Sequence, residues 1–230
     1  MIGKAHPSTA NDASGTLLGK PQRSLLDKSS GVMYKKSVFS RDELSIVRAE
    51  ILALNQLQDE CSSSIAQKRR GTMVSTSSSI FPVLQSGSLH RLVEASVGAP
   101  VELSLHVPVE IRVYEQQGAG MSWHVDDVIY DPPQIEVVWT LENNSDCQTL
   151  WKDQHDTVKS VETEPNSAIL IAAGKAPHCV TSLKYGKRII LKLVYIQKGA
   201  QYRVDRHKNQ FENSKSAKNK RKHRIKSKKR

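Results

Sequence analysis

Apolar residues recur at helical spacing in an early part of the chain. The periodic set is Leu44, Val47, Ile51 and Leu54. This spacing places every member on one face of an amphipathic helix. Ser40 and Glu43 stand before the set at capping-box spacing, in which the hydroxyl and the carboxylate each satisfy a free backbone amide. The pattern predicts a helix that begins after Ser40 and ends between Leu57 and Cys61.

A second, shorter helix is predicted further along the chain. Leu89, Leu92 and Val93 fit one helical face, and Gly98 would end the helix. Between the two helices, residues 62–79 are polar and rich in serine and threonine, so we expect a loop there. Both helices therefore precede the part of the chain in which the pattern changes.

From Val101 onward, apolar and polar residues alternate, and this period of two is typical of strands. The strand-like runs cover residues 102–107, 109–113, 134–141, 148–152, 168–172 and 188–196. Short turn-forming segments separate the runs, at the intervals of hairpins. The pattern predicts an α+β, mainly β fold: an antiparallel, jelly-roll-like double sheet buttressed by N-terminal helices.

The two ends of the chain differ from its body in composition. Residues 1–34 are rich in Ser, Gly, Lys and Pro without periodicity, so we expect a disordered segment there. Residues 201–230, the basic tail, are also expected to be disordered, which leaves residues 35–200 as one domain. From Arg203 to the end there are thirteen Lys/Arg and two acidic residues, and the rest of the chain sums to zero charge. The net charge of +11 therefore belongs to the tail.

Composition excludes some classes of protein. No run of 18 or more apolar residues occurs, so no membrane span is expected. The N-terminus has no apolar segment typical of a secretory signal. The three cysteines, Cys61, Cys147 and Cys179, are odd in number and widely spaced, which favours a reducing compartment over a disulfide framework.

A candidate metal site begins in the segment Trp123-His124-Val125-Asp126. Side chains at i and i+2 of a strand point to one face, so His124 and Asp126 can converge on one ion. The third ligand must come from another strand, and the candidates are His106, His155 and His178. His155 lies in a polar, turn-like stretch, and His106 lies on a strand before the motif. His178 follows a strongly apolar strand, and we favour it because a neighbouring strand could deliver it.

Two histidines and one carboxylate on one face form the facial triad of non-heme Fe(II). Arg188 opens the next strand, ten residues after His178. A planar guanidinium suits a dicarboxylate, since one end of that molecule can chelate iron while the other needs a bidentate partner.

Taken in order, these residues resemble the Fe(II)- and 2-oxoglutarate-dependent oxygenases, in particular their prolyl 4-hydroxylase-like branch. The matching pieces are Tyr114, His124-Val125-Asp126, Pro165, His178-Cys179-Val180 and Gly186-Lys187-Arg188. The resemblance covers about residues 36 to 197. It implies a double-stranded β-helix (jelly roll) in which His124, Asp126 and His178 bind Fe(II), and it implies that Arg188 holds the distal carboxylate of 2-oxoglutarate. It also implies that Tyr114 and Thr140 line the cosubstrate pocket.

The resemblance implies that the chain hydroxylates a protein side chain, with a prolyl side chain as one candidate. The reaction would consume O2 and 2-oxoglutarate and give succinate and CO2 as co-products. The resemblance also suggests ascorbate as a further cofactor. The nucleic-acid demethylase branch of the same superfamily is an alternative, because it also has Trp-His-x-Asp. That branch needs a second arginine six residues after the first, and this chain has Val194 there. A zinc hydrolase or a metal-binding β-sandwich module is the third hypothesis, and neither needs Arg188.

The basic tail suggests further partners. Runs of Lys and Arg are typical of nuclear or nucleolar targeting and of non-specific contact with nucleic acid. Residues 215–230, the most basic part of the tail, contain no aromatic residue between the Lys and Arg residues. We therefore expect no stacking of bases on this segment. We therefore predict a nuclear or nucleolar location and a protein substrate, with nucleic acid as a possible second partner.

Overall fold

The computed structural model of the protein describes residues 24–54, 59–60 and 62–203. The helices are α1 (Leu25–Lys28), α2 (Arg41–Leu54), α3 (Ile80–Ser86) and α4 (Ser88–Val97). The first strands are β1 (Val32–Lys35), β2 (Asp59–Glu60), β3 (Ala66–Gln67), β4 (Arg70–Met73), β5 (Val101–Leu103), β6 (Glu110–Tyr114), β7 (Gly120–His124) and β8 (Tyr130–Asp131). The later strands are β9 (Ile135–Asn143), β10 (Thr149–Lys152), β11 (Val158–Val161), β12 (Ser167–Ala172), β13 (His178–Val180), β14 (Arg188–Gln197) and β15 (Gln201–Tyr202).

The strands form two main antiparallel sheets. The larger sheet has the order β1-β12-β9-β14-β6-β4-β2, with β5 also paired to β14. The smaller sheet has the order β11-β10-β13-β7-β3, and β8 pairs separately with β15. Side chains of both sheets line one pocket, so the sheets face each other. The predicted mainly β, double-stranded β-helix is therefore confirmed.

Alternation along the strands separates the core from the pocket. On β9, Val137 and Trp139 lie in the main hydrophobic core, whereas Glu136 and Val138 line the pocket between the sheets. Successive side chains of a strand point to opposite faces, so one strand serves both surfaces. The period of two in the sequence thus encodes which residues face the pocket.

Three helices cover the outer face of the larger sheet. Their buried side chains join the core cluster that the sheet provides: Val47, Ile51, Ile80, Leu84, Leu89 and Val93. Gly98 ends α4 in the left-handed region (φ 77°), as its position predicts. The predicted helical buttress is confirmed, and no helix of the described part of the chain is long and apolar enough to cross a membrane.

The predicted capping box is present at the start of α2. The Ser40 amide donates to Glu43 Oε2 at 2.8 Å, and the Glu43 amide donates to Ser40 Oγ at 3.4 Å. Glu43 Oε1 also accepts the Ser88 amide at 2.7 Å, which ties the start of α2 to the start of α4. Burial alone would raise the pKa of Glu43, but the hydrogen bonds from Ser88 and Ser40 outweigh it and lower the pKa to about 2.

Glu43→Gln is expected to lower the free energy of unfolding by roughly 1 kcal/mol near neutral pH, as loss of a helix cap does. A carboxyl whose pKa is lower in the folded chain stabilises the fold above its unfolded pKa, and this stabilisation disappears as the pH falls through the folded value. The difference from wild type should be full above pH 4.5 and should vanish towards a pH of about 2. Denaturant unfolding measures it, with the exposed Glu162→Gln as control. A difference independent of pH would contradict the assignment.

The structure corrects several expectations about element boundaries. Residues 24–34 are not disordered, because α1 and most of β1 lie there, and β1 pairs with β12 along its length. The loop expected at 62–79 contains β3 and β4, and β4 pairs with β6. Helix α2 does not reach Cys61, since β2 begins at Asp59. The strand expected at 102–107 ends at Leu103. The tail expected to be disordered from residue 201 begins with β15, which pairs with β8. The other residues of the predicted disordered segments, 1–23 and 204–230, lie outside the described residues.

Candidate metal and cosubstrate site

The candidate site lies in a narrow pocket of about 50 Å³ between the two sheets. The smaller sheet contributes His124 at the end of β7 and His178 at the start of β13. These two residues are cross-strand partners, and their ring centroids lie 4.2 Å apart. The β7–β13 ladder shifts register between His178 and Val180, so its regular pairing is interrupted beside the site. The larger sheet contributes Arg188 from β14.

Asp126 completes a cluster with the two histidines, as predicted. Its Oδ1 lies 3.7 Å from His124 Nε2, and its Oδ2 lies 3.5 Å from His178 Nε2. One possible ligand atom from each of the three residues lies within 4.8 Å of the others. The Asp126 carbonyl accepts the Gly174 amide at 3.0 Å, which fixes the backbone where the chain leaves β7. Spacing of i and i+2, together with one cross-strand neighbour, therefore brings the three predicted ligands together.

Hydrogen bonds fix the tautomer of both histidines. His124 Nδ1 lies 2.8 Å from the Ser122 carbonyl, and His178 Nδ1 lies 3.0 Å from the Ala176 carbonyl. A carbonyl can only accept, so each Nδ1 carries the proton and each Nε2 presents a lone pair. Burial lowers the pKa of His124, and the neighbouring His178 acts in the same direction, which favours the neutral ring. Neutral imidazole is the form that binds a metal.

The donor atoms of this cluster fit a divalent cation. His124 Nε2 and Asp126 Oδ2 are buried and have no hydrogen-bond partner among the described residues. Buried polar atoms rarely stay unpaired. Two imidazole lone pairs and a carboxylate facing one another repel unless a cation lies between them. Two histidines and one carboxylate form the facial set typical of non-heme Fe(II), which leaves coordination positions open for other ligands.

Arg188 is a buried positive charge in the lining of the same pocket. It is 1% exposed, and its Nη2 donates to Thr149 Oγ1 at 3.1 Å. Its Nε and Nη1 have no hydrogen-bond partner, and no ion pair with it occurs, among residues 24–54, 59–60 and 62–203. Burial lowers the pKa of this guanidinium. A buried charge is costly unless it is paired, so the site calls for an anion with two acceptor atoms.

The other predicted cosubstrate residues take different places. Tyr114 lies opposite Arg188 in the β6–β14 register and lines the pocket. Thr140 is fully buried on β9 opposite Ile190, and its hydroxyl has no partner among the described residues, but it is not one of the pocket's lining residues. Thr149, which sequence reasoning missed, lines the pocket and contacts Arg188. Its position could be found only from the packing of β10 against β14.

The remaining candidates lie outside the cluster. His155 is exposed in the turn before β11, and its ring contacts Gln154. His106 is exposed and stacks on Tyr202, on another part of the surface. Lys187, next to Arg188, forms an ion pair with Glu115 at 3.7 Å and is not one of the residues that line the pocket. Of the three candidate histidines, the fold therefore brings His178 to the pocket. Of the two neighbouring cations, it brings Arg188.

Sequence reasoning also missed a charged wall of the pocket. Lys192 Nζ lies 2.9 Å from Glu136 Oε2, and Arg112 Nη2 lies 2.8 Å from Glu110 Oε2. Three of these four residues, all except Glu110, line the pocket. Their even spacing from Tyr114, Val138 and Arg188 on the respective strands is the signal that could have found them. The pocket lining thus combines these charged side chains with apolar ones, and Ile171 is the direct cross-strand neighbour of Glu136.

Comparison with known proteins identifies the fold. No protein-family model and no curated protein matches the chain. A prolyl hydroxylase from Trichoplax adhaerens, solved with a peptide of hypoxia inducible factor, is 14% identical with a TM-score of 0.61 over 75% of this chain and 86% of that one. A 2OG-Fe(II) oxygenase family member from Burkholderia pseudomallei is 16% identical (TM-score 0.60, 77% and 91%).

The likeness extends to enzymes of other chemistry. The carbocyclase SnoK from nogalamycin biosynthesis, described as non-heme and alpha-ketoglutarate dependent, is 12% identical with a TM-score of 0.64 over 91% of this chain and 94% of that one. The chain therefore has the fold of the 2OG-Fe(II) oxygenases, prolyl hydroxylases among them. At these identities the likeness concerns the fold, and the chemistry must be argued from the site.

Proposed function

We propose that the chain is an Fe(II)- and 2-oxoglutarate-dependent dioxygenase. The observation that carries this proposal is one pocket that combines the His124, Asp126 and His178 cluster with the buried, unsatisfied guanidinium of Arg188. A metal cluster alone would fit several enzyme classes. A buried arginine with unsatisfied donors in the same pocket favours, in addition, an anionic molecule that binds beside the metal.

Each residue has a defined task in this proposal. His124, Asp126 and His178 would hold Fe(II) through two imidazole nitrogens and one carboxylate. Arg188, positioned by Thr149, would bind the distal carboxylate of 2-oxoglutarate through Nε and Nη1. The bound iron and 2-oxoglutarate would together supply the activation of O2, with succinate and CO2 as co-products.

The walls of the pocket keep the reacting groups in place and exclude water. Val138, Ile169 and Ile190 line the same pocket as the metal cluster and Arg188. An apolar lining strengthens the charge interactions inside the pocket and limits side reactions with water. The loop after the ligands is held by Gln134, whose side chain donates to the Asp127 carbonyl at 2.7 Å and accepts from the Ile129 amide at 3.1 Å.

We further propose a protein side chain as the substrate and the nucleus as the location. The substrate proposal draws on the prolyl hydroxylase whose structure contains a bound peptide, and the location draws on the basic tail. The nucleic-acid demethylase alternative is disfavoured at Val194, which is fully buried in an apolar cluster where that branch needs an arginine. The neighbours also include an epimerase and a carbocyclase, so enzymes with this fold carry out more than one kind of reaction.

A metal exchange separates this proposal from a hydrolase. Purified chain with Fe(II), O2 and 2-oxoglutarate is expected to form succinate slowly without any prime substrate, whereas Zn(II) in place of Fe(II) should give none, because Zn(II) has no redox chemistry. Succinate measured by mass spectrometry is the readout, and peptide arrays then search for the coupled substrate. Zn(II)-dependent hydrolysis of ester or amide probes, without consumption of 2-oxoglutarate, would contradict the proposal.

A further inference from the structure

One buried ion pair in the metal pocket has no part in the proposed binding of iron or 2-oxoglutarate. Lys192 Nζ lies 2.9 Å from Glu136 Oε2, and both residues line the pocket. Glu136 is 7% exposed, and the side chain of Lys192 is 18% exposed. Burying two charges is costly, and apolar side chains of similar size often serve the fold equally well. The pair is therefore a candidate for the recognition of a ligand.

The contact leaves hydrogen-bonding capacity unused. Glu136 Oε2 is buried and accepts no hydrogen bond from the described residues, because the Lys192 contact does not have the angle of one. Glu136 Oε1 accepts a long hydrogen bond, 3.4 Å, from Gln134 Nε2. An ammonium group has three donors. The pair can therefore offer a ligand one acceptor and one donor side by side.

The same glutamine links the pair to the metal-binding segment. Gln134 Nε2 donates to the Asp127 carbonyl at 2.7 Å as well as to Glu136. Asp127 directly follows the metal ligand Asp126 in the chain. The carboxylate of Glu136 is thus two hydrogen bonds away from the backbone beside the ligand. A molecule that contacts the pair would therefore lie close to the metal.

The cosubstrate held by Arg188 leaves the pair free. Arg188 and Lys192 both line the pocket and are four residues apart on β14, so their Cα atoms are about 13 Å apart. Glu136 lies opposite Val194 in the register, so Lys192 leans away from Arg188 to reach it. The five carbons of extended 2-oxoglutarate span only about 5 Å. The pair is therefore available to the molecule that the enzyme oxidises.

The charges in the loaded pocket indicate which chemical group enters it. The ion pairs of Lys192 and of Arg112, described above, are each neutral. Fe(II) and Arg188 would together carry three positive charges, and Asp126 with the two carboxylates of 2-oxoglutarate would carry three negative ones. A further charge in this pocket would be buried without a partner, which is costly. The balance therefore favours an uncharged group that both donates and accepts hydrogen bonds.

We propose that Glu136 and Lys192 recognise a primary carboxamide, the end group of an asparagine or glutamine side chain, on the molecule that the enzyme oxidises. A carboxamide is uncharged and carries N–H donors and a carbonyl acceptor on one carbon. Its N–H would donate to Glu136 Oε2 while its oxygen accepts from Lys192 Nζ, and these two atoms are 2.9 Å apart. A trans backbone amide points its N–H and C=O in opposite directions and cannot face both. This inference rests on the proposed oxygenase function.

The test is calorimetric titration of the full chain with Fe(II) and 2-oxoglutarate under argon, where no turnover occurs. The probes are acetylated pentapeptides with a free carboxyl end and two glycines on each side of a central residue. The central residue is asparagine, glutamine, aspartate, leucine or proline. The better of the two carboxamide peptides should bind about 10- to 150-fold more tightly than the aspartate, leucine and proline peptides, the range for one charge-assisted hydrogen bond.

The matched variants remove the pair as a unit. Glu136→Met/Lys192→Met leaves no buried charge unpaired, so the fold should be retained and the carboxamide preference should disappear. Lys159→Met removes an ion-paired lysine outside the pocket and should keep the preference. If the double variant has a lowered thermal midpoint, Glu136→Gln carries the comparison. It should narrow the preference, because a neutral amide oxygen accepts more weakly than a carboxylate.

Two results would overturn the inference: equal affinity for the carboxamide and leucine peptides in the wild type, or a preference that survives in the double variant. Tighter binding of the proline peptide would overturn it as well and would assign the pocket to prolyl side chains. Repeating the assays in air separates this inference from the function on which it rests. Absence of succinate from the wild type would contradict the oxygenase function, whereas succinate formation without any carboxamide preference would contradict only the recognition by Glu136 and Lys192.

Discussion

Succinate formation from 2-oxoglutarate is expected to fall to background in each of His124→Ala, Asp126→Ala and His178→Ala. Each substitution leaves two ligands of the three, and a facial triad reduced in this way no longer holds Fe(II) in the pocket. The fold should be retained, because these side chains face the pocket and do not belong to the main core cluster. Removing one acceptor also relieves the repulsion among the three facing lone pairs in the metal-free chain.

The measurement pairs turnover with metal binding. Fe(II) bound per chain after desalting should fall in all three variants, while the thermal midpoint of the metal-free protein changes little. His155→Ala is the matched control, because it removes an exposed imidazole outside the pocket and should leave turnover unchanged. Full activity in His178→Ala, with loss in His155→Ala, would place the third ligand elsewhere.

Arg188→Ala is expected to raise the KM for 2-oxoglutarate by roughly 10²- to 10⁴-fold while Fe(II) still binds. The range follows from the loss of two charge-assisted hydrogen bonds of about 1.5–3 kcal/mol each. Arg188→Lys should fall between the alanine variant and wild type, because an ammonium keeps the charge but loses the planar fork. Steady-state succinate assays over a wide range of 2-oxoglutarate concentration give the values.

Lys187→Ala is the control for this prediction. It removes the neighbouring cation, which pairs with Glu115 and does not line the pocket, so its effect on KM should be small. The metal-free Arg188→Met protein should be no less stable than wild type, because replacing a buried, unpaired charge by an apolar side chain removes an unfavourable term. Equal sensitivity at positions 187 and 188 would mean that the carboxylate anchor has been misassigned.

Local pattern was sufficient to predict the features that depend on spacing along one element. The capping box at Ser40 is a property of a single helix end. The i, i+2 spacing brings His124 and Asp126 to one cluster, although β7 ends at His124 and Asp126 lies just beyond it. Alternation of side chains along β9 and β14 likewise predicts that each strand has one face towards the core and one towards the pocket. The choice of His178 over His106 and His155 depends on which strand can reach the site, and the β7–β13 pairing places His178 opposite His124.

Features that depend on contacts between distant segments could not be predicted in this way. Strand β1 is only four residues long, so its own alternation is too short to predict a strand. It forms a strand because β12 pairs with it. Strand β4 lies near the edge of the larger sheet, beside β6, where a strand can be polar. Because its residues are polar, the sequence alone predicts a loop there. Thr149 took the place expected for Thr140 because the smaller sheet, not only β9, faces Arg188.

The interrupted pairing between β7 and β13 has a consequence for how the domain responds to its metal. His124 and His178 lie on opposite strands at the point where the ladder changes register, so an ion bound by both would act as a cross-link between two strands that backbone hydrogen bonds join incompletely. Local opening of the smaller sheet should then become rarer when the ion is bound, since binding to the closed form alone suppresses opening by mass action. Amide protons of β7 and β13 should exchange with solvent deuterium more slowly in the metal-loaded chain, while those of β9 and β14 keep their rates. Occupancy of the site would thus be recorded in the rigidity of one sheet as well as in catalysis.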